Sequence, residues 1–107
     1  MQVLIVNFKL NGMTHDELVA AATEHGPVFR DGVPGLIEKV FLDGEESGIY
    51  GGVYKFEDRP SLDTYLASEI WAGVKADPRF AELTARTFGV VEEPTRQARG
   101  MAQVGVA

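Results

Sequence analysis

The stretch from Pro34 to Asp58 constrains this chain more than any other. Two runs rich in strand-forming residues, Leu36 to Leu42 and Ile49 to Phe56, flank the acidic loop Asp43-Gly44-Glu45-Glu46-Ser47-Gly48. Such runs joined by a short polar loop containing glycine predict a β-hairpin. The pair Gly51-Gly52 falls inside the second run. Glycine weakens a strand, so its presence there points to a bulge or a close backbone approach.

The segments around the hairpin complete a pattern. Val3 to Leu10 predicts a strand, with Val3, Ile5 and Asn7 on one face and Leu4, Val6, Phe8 and Leu10 on the other. Both faces are largely apolar, which suits a central strand covered on both sides. Thr14-His15-Asp16-Glu17 has the form of a capping box. The helix it opens carries His15, Leu18, Ala22, His25 and Phe29 on one stripe, and Gly26-Pro27 is expected to end or kink it. After the hairpin, Asp58 is a candidate cap with Pro60 in the first turn. Leu62, Tyr65, Leu66 and Ile70 predict one helix that ends near Gly73, followed by Trp71 at its close and a last strand from Leu83 to Val91. Glu92-Glu93-Pro94 is expected to stop that strand.

The resulting order, βαββαβ, predicts an α+β ferredoxin-like domain over residues 1–94, with a four-stranded antiparallel sheet and helices on one face. Residues 95–107 read as a C-terminal extension, either frayed or docked on a partner subunit. Helices would cover only one face of strands that are apolar on both. A second copy of the same sheet is the simplest cover, so a homodimer is expected.

Composition narrows the function classes. The formal net charge is -6, without a Lys/Arg cluster. Nucleic acid and anionic membranes both demand positive charge, so neither is an expected partner. The chain has no cysteine, which excludes disulfide and thiolate chemistry. No apolar run has the length of a membrane span, and a strand pattern at the N-terminus takes the place of a signal-peptide layout. A cytoplasmic location is expected. No dinucleotide fingerprint, P-loop or metal-ligand cluster is visible, and His15, Asp16 and Glu17 point in different directions on their helix. The expected cofactor and metal are therefore none.

The combination of Phe8, Asn11-Gly12, Pro34-Gly35-Leu36-Ile37, Lys39-Val40-Phe41, Gly51-Gly52-Val53-Tyr54-Lys55-Phe56, Asp58 and Phe88-Gly89-Val90 resembles the YdhR-like monooxygenase family. Members are dimeric α/β-barrel proteins related to the antibiotic-biosynthesis monooxygenases. The resemblance spans roughly residues 2–94. It implies a pocket between sheet and helices and, by analogy with the better-understood relatives, oxygen insertion into an electron-rich aromatic or polyketide-like substrate without metal or flavin. A deprotonated substrate of that kind can itself reduce molecular oxygen. The protein must then supply an apolar pocket, a proton acceptor and oxyanion donors. The same scaffold also supports an oxygen-independent cyclase, isomerase or dehydratase, or a non-catalytic small-molecule-binding or stress-response protein.

Several side chains are candidates for these roles. Asn7 interrupts an apolar strand; its amide can bind a substrate oxygen, or bond locally or at a dimer seam. Lys39 can hold an oxyanion or pair with a carboxylate such as Glu38. His25 is a candidate proton acceptor or a helix-end residue. Arg86, on one face with Phe88, can bind a phenolate or lie at a dimer interface. Tyr50 and Tyr54 share a face with Gly52 and Phe56; either Gly52 between them leaves a hollow that a flat ligand or a partner's backbone can fill, or the face is ordinary aromatic packing. Trp71 either walls the pocket or plugs the core. Catalytic roles are thus assigned to Asn7, Lys39, His25 and Arg86, and substrate contacts to Tyr50, Tyr54, Trp71, Phe88 and Gly52.

Overall fold

The strand with two apolar faces lies inside the sheet. In the computed structural model, which describes residues 1–99, β1 (Gln2–Leu10) pairs antiparallel with β3 (Tyr50–Phe56) on one side and β4 (Phe80–Gly89) on the other. β2 (Leu36–Leu42) completes the sheet along the outer edge of β3, giving the order β2-β3-β1-β4. The expected hairpin is β2–β3. Its turn is held by the Asp43 carboxylate accepting from the Glu45 amide at 2.8 Å and by Gly48 N–H donating to the Gly44 carbonyl at 2.7 Å. The fold is α+β and ferredoxin-like, with an antiparallel four-stranded sheet.

Helix α1 (His15–Gly32) starts at the expected capping box. Thr14 Oγ1 accepts from the Glu17 amide at 3.1 Å, and Glu17 Oε1 accepts from the Thr14 amide at 3.0 Å. Gly26-Pro27 does not end it. A proline inside a helix costs about 3 kcal/mol. Burial of Phe29 and of Val33, which caps the helix, offsets this, at about 1.5–3 kcal/mol for each large apolar side chain.

The expected single second helix is two: α2 (Arg59–Leu66) and α3 (Glu69–Ala76). Asp58 caps α2 by accepting from the Ser61 amide, with Pro60 in the first turn as expected. Ser68 makes the break. Its hydroxyl donates to the Tyr65 carbonyl at 2.6 Å and accepts from the Trp71 amide at 3.3 Å, so one side chain closes α2 and caps α3. Trp71 therefore lies in the first turn of α3 rather than after a helix.

β4 begins three residues before the expected Leu83 and ends at Gly89. Leu10 pairs with Phe80 and Lys9 with Ala81, past a register shift after Asn7. Glu82, with φ of 53°, accommodates that irregularity. Val91 then caps α4 (Glu92–Gln97), so Glu92-Glu93-Pro94 forms a helical turn and crosses the boundary expected at residue 94. Residues 100–107 of the expected extension lie outside the described residues.

The core fills one face of the sheet. Leu4, Val6, Tyr54 and Phe56 point toward Phe29, Leu62, Tyr65 and Trp71 of the helices. The strand register also lines up the opposite face in rows. Val40, Val53, Ile5 and Arg86 are successive neighbours across the sheet, as are Leu42, Gly51, Asn7 and Thr84. None of these joins the core, and Val40 and Phe88 remain exposed.

Candidate functional site

Alternation along β2 turns Lys39 and Phe41 toward the helices, while Glu38 and Val40 face the other way. Lys39 pairs in register with Tyr54, and Phe41 with Gly52. Helix α1 brings Phe29 down on the same spot. The Lys39 Nζ lies 3.2 Å from the centre of the Phe29 ring, 4.2 Å from Phe41 and 4.4 Å from Tyr54. Among the described residues, no carboxylate lies within ion-pair distance of it: Glu38 pairs with Lys55 at 3.3 Å instead. Burial pushes the Lys39 pKa down to about 7. The three ring faces act in the opposite sense, since each attracts the ammonium by about 0.5–2 kcal/mol. The amine therefore exchanges between neutral and charged forms close to physiological pH, and Phe41 beside it is 45% exposed, so the cage opens to solvent.

Behind this cage the space under the helices is filled. The Tyr54 hydroxyl accepts from that of Tyr65 at 3.4 Å, and Tyr65 packs on Trp71 with ring centres 6.0 Å apart. Burial raises the pKa of both tyrosines, so they remain phenols. Trp71 is separated from Lys39 by these two rings and belongs to the core. A cavity of about 40 Å³, between the end of α1 and Thr64, Tyr65, Ser68 and Ile70, has room for water but not for an aromatic ligand. Of the two readings of Gly52, ordinary packing is the one found: the space of the alternative hollow is occupied. A Cβ there would lie 3.2 Å from Tyr54 Cε1 and 3.4 Å from Lys39 Cε. The missing side chain makes room for the lysine and the tyrosine, not for a ligand.

At its N-terminus, α1 is tied to the hairpin by a cluster that the sequence reading passed over. His15 Nδ1 lies 2.9 Å from the Tyr50 hydroxyl, Glu45 Oε2 is 3.5 Å from Nε2, and Asp43 Oδ1 is 3.8 Å from Nδ1. Burial, and then the Asp43 and Glu45 charges, raise the Tyr50 pKa. Tyr50 thus stays a phenol, within hydrogen-bond distance of the His15 ring. Between the two ends, Leu18, Ala22 and Gly26 of α1 are only half-buried. The helix is anchored at His15 and at Phe29, and its stripe between them is only partly covered.

The residues assigned to one site divide into two groups and one outlier. Lys39, Tyr50, Gly52 and Tyr54 share the helix-facing side, with Trp71 behind them in the core. Asn7, Arg86 and Phe88 lie on the opposite side of the sheet. Asn7 and Arg86 line a concavity of about 240 Å³ there, with Thr84, Lys9 and Glu82, and the Asn7 amide donates to the Tyr50 carbonyl at 3.4 Å. His25 belongs to neither group: it is exposed on α1, off the stripe that continues through Gly26 to Phe29. Asn7 and Lys39 cannot touch the same substrate within one subunit, because the sheet lies between them. Phe29 and Phe41 are the contacts that were missed. The alternation Lys39-Val40-Phe41 placed Phe41 beside the lysine, but nothing local indicated which part of α1 would cover them. Among the described residues, no group of three or more His, Cys, Asp or Glu side chains is arranged to hold a metal ion. No described helix is long and apolar enough to cross a membrane.

A family model described as "Putative mono-oxygenase ydhR" matches residues 3–101. No curated protein matches the sequence. Solved structures share the fold at low identity. A "putative antibiotic biosynthesis monooxygenase" from Deinococcus radiodurans is 12% identical with a TM-score of 0.69, over 86% of this chain and 94% of that one. SnoaB, a cofactor-independent oxygenase from Streptomyces nogalater, is 17% identical at 0.65, over 85% and 94%. The heme-degrader MhuD from Mycobacterium tuberculosis is 15% identical at 0.68, over 87% and 98%.

Proposed function

The chain belongs to the ydhR mono-oxygenase family, and from its site we propose a homodimeric, cofactor-independent monooxygenase that acts on an electron-rich aromatic or polyketide-like molecule at the seam between α1 and β2. The observation that carries this reading is Lys39, an amine without a carboxylate partner among the described residues, caged by Phe29, Phe41 and Tyr54 and open to solvent beside Phe41. Aromatic walls suit a flat substrate, and a lysine near neutrality suits proton transfer.

The chemistry closes without a cofactor. Neutral Lys39 takes a proton from an acidic C–H of an anthrone-like substrate, and the ammonium then holds the resulting oxyanion. The carbanion passes one electron to O2, the substrate radical and superoxide combine to a peroxide anion, and the Lys39 ammonium returns its proton to give the hydroperoxide. Lys39 then takes the remaining hydrogen from the oxygenated carbon as a proton while the O–O bond breaks, and passes it to the departing hydroxide, leaving a ketone and water. One oxygen atom enters the product and the other leaves as water, and every electron comes from the substrate. SnoaB, of the same fold, is described as a cofactor-independent oxygenase, which supports this route. Haem fits this chain poorly. His15 is engaged by Tyr50, Asp43 and Glu45, and His25 is exposed away from the cage, so no step runs through haem.

A second copy would cover the open face of the sheet, where Val40, Val53 and Ile5 form an apolar row. Asn7, Arg86 and Phe88 then fall at the seam between sheets rather than in the catalytic cleft. The test is oxidation of an anthrone under isotopically labelled O2. Wild type is expected to form a ketone carrying one labelled oxygen, and Lys39→Met to lose the activity. Equal product formation without oxygen would overturn the reading in favour of an isomerase or dehydratase. Undiminished activity in Lys39→Met would move the site elsewhere.

A further inference from the structure

Of the four lysines, Lys9 pairs with Glu82 at 3.3 Å and Lys55 with Glu38 at 3.3 Å, while Lys75 is exposed with its Nζ 5.9 Å from the Trp71 ring. Lys39 alone is packed among three rings. Among the described residues no carboxylate lies within ion-pair distance of Lys39 to hold its amine in the charged form, and burial works against that charge. The rings also offer a planar apolar surface on which an aromatic carbonyl compound can lie beside the amine, and the exposed edge of Phe41 leaves a way in.

We propose that Lys39 is an amine nucleophile that condenses with aromatic aldehydes and ketones to form an imine. The Nζ lone pair attacks the carbonyl carbon and a C–N bond forms. The carbonyl oxygen takes up protons and leaves as water, and the nitrogen gives up its two hydrogens as C=N forms. No oxidant or reductant enters. The downward shift of the Lys39 pKa adds to the geometry by enlarging the neutral fraction near pH 7. This activity does not rest on oxygen insertion, and neither oxygen nor an anthrone is needed to observe it.

The test is reductive trapping of the folded chain with 2-hydroxybenzaldehyde and cyanoborohydride at pH 7, followed by peptide mass mapping. The neutral fraction of an amine below its pKa grows about tenfold for each unit by which the pKa falls, so Lys39 is expected to label at least about tenfold faster than the exposed Lys75. Mapping separates this adduct from one on the Met1 amine. The preference is expected to vanish in urea, and Lys39→Arg to remove that adduct alone. Labelling of Lys39 no faster than Lys75 in the folded chain, or a preference that survives in urea, overturns the proposal.

Discussion

Adjacent glycines in β3 are expected to respond in opposite ways to the same substitution. A Cβ on Gly51 would run into the carbonyl oxygen of Val6 and come within 2.9 Å of its carbon and 3.0 Å of Asn7 Nδ2. Val6 is in the central strand, paired with Gly52 on one side and Ala85 on the other. It cannot withdraw without opening a ladder. Overpacking costs about 1–3 kcal/mol, and each ladder hydrogen bond lost adds about 1 kcal/mol. Gly51→Ala should therefore lose about 2–4 kcal/mol, a large share of the ~5–15 kcal/mol that a domain commonly has. A Cβ on Gly52 meets side-chain atoms of Tyr54 and Lys39 at 3.2 and 3.4 Å, together with the Val40 carbonyl at 3.4 Å. The lysine end can swing, and alanine restricts the unfolded chain, so Gly52→Ala should stay within about 1 kcal/mol of wild type. It should nevertheless disturb the Lys39 cage and lower turnover. Urea unfolding followed by circular dichroism measures both. A Gly51→Ala chain within about 1 kcal/mol of wild type, or a Gly52→Ala chain falling equally far, would refute the close approach of β3 to β1.

Three further outcomes follow from the same geometry. The Lys39 pKa is lower in the fold than in the unfolded chain, so the unfolded state holds the extra proton between about pH 7 and 10.5 and stability should rise with pH across that window; Lys39→Met should flatten the rise and gain about 1–3 kcal/mol at pH 6, where the wild type carries a buried charge. A double-mutant cycle of His15→Ala and Tyr50→Phe should give a coupling of about 0.5–1.5 kcal/mol for the 2.9 Å contact, and independent effects would show that the contact does not hold α1 to the hairpin. Light scattering after size exclusion should show a wild-type dimer and a Val53→Glu monomer, since Val53 lies between Val40 and Ile5 on the open face; a wild-type monomer would remove the homodimer from the proposal.

Much of the fold was legible because its signals are local. The runs at Leu36 to Leu42 and Ile49 to Phe56 marked the hairpin to within one residue, and the Thr14 and Asp58 caps marked two helix starts. Where local rules misled, a distant contact had won. Gly26-Pro27 was expected to end or kink α1, and the helix runs on because Phe29 and Val33 gain more by reaching the core. Ser68 looked like an ordinary helical residue until its hydroxyl was placed between Tyr65 and Trp71.

The site was legible only as a set of parts. Strand alternation determined by itself that Lys39 and Phe41 share one face and that Asn7 and Arg86 lie on faces of their own strands, because a period of two needs no knowledge of the neighbours. It could not determine that those faces oppose each other across the sheet. That depends on register, which is set by the packing of β1 between β3 and β4. Nor could it place Phe29 over the Lys39 ammonium or His15 beside Tyr50, contacts spanning 10 and 35 positions of chain. Gly51-Gly52 shows the division most clearly. The sequence marked the pair as anomalous, and only the tertiary structure decided that one glycine admits a neighbouring backbone and the other admits a lysine, because those two occupants come from the strands along the two edges of β3, β1 and β2.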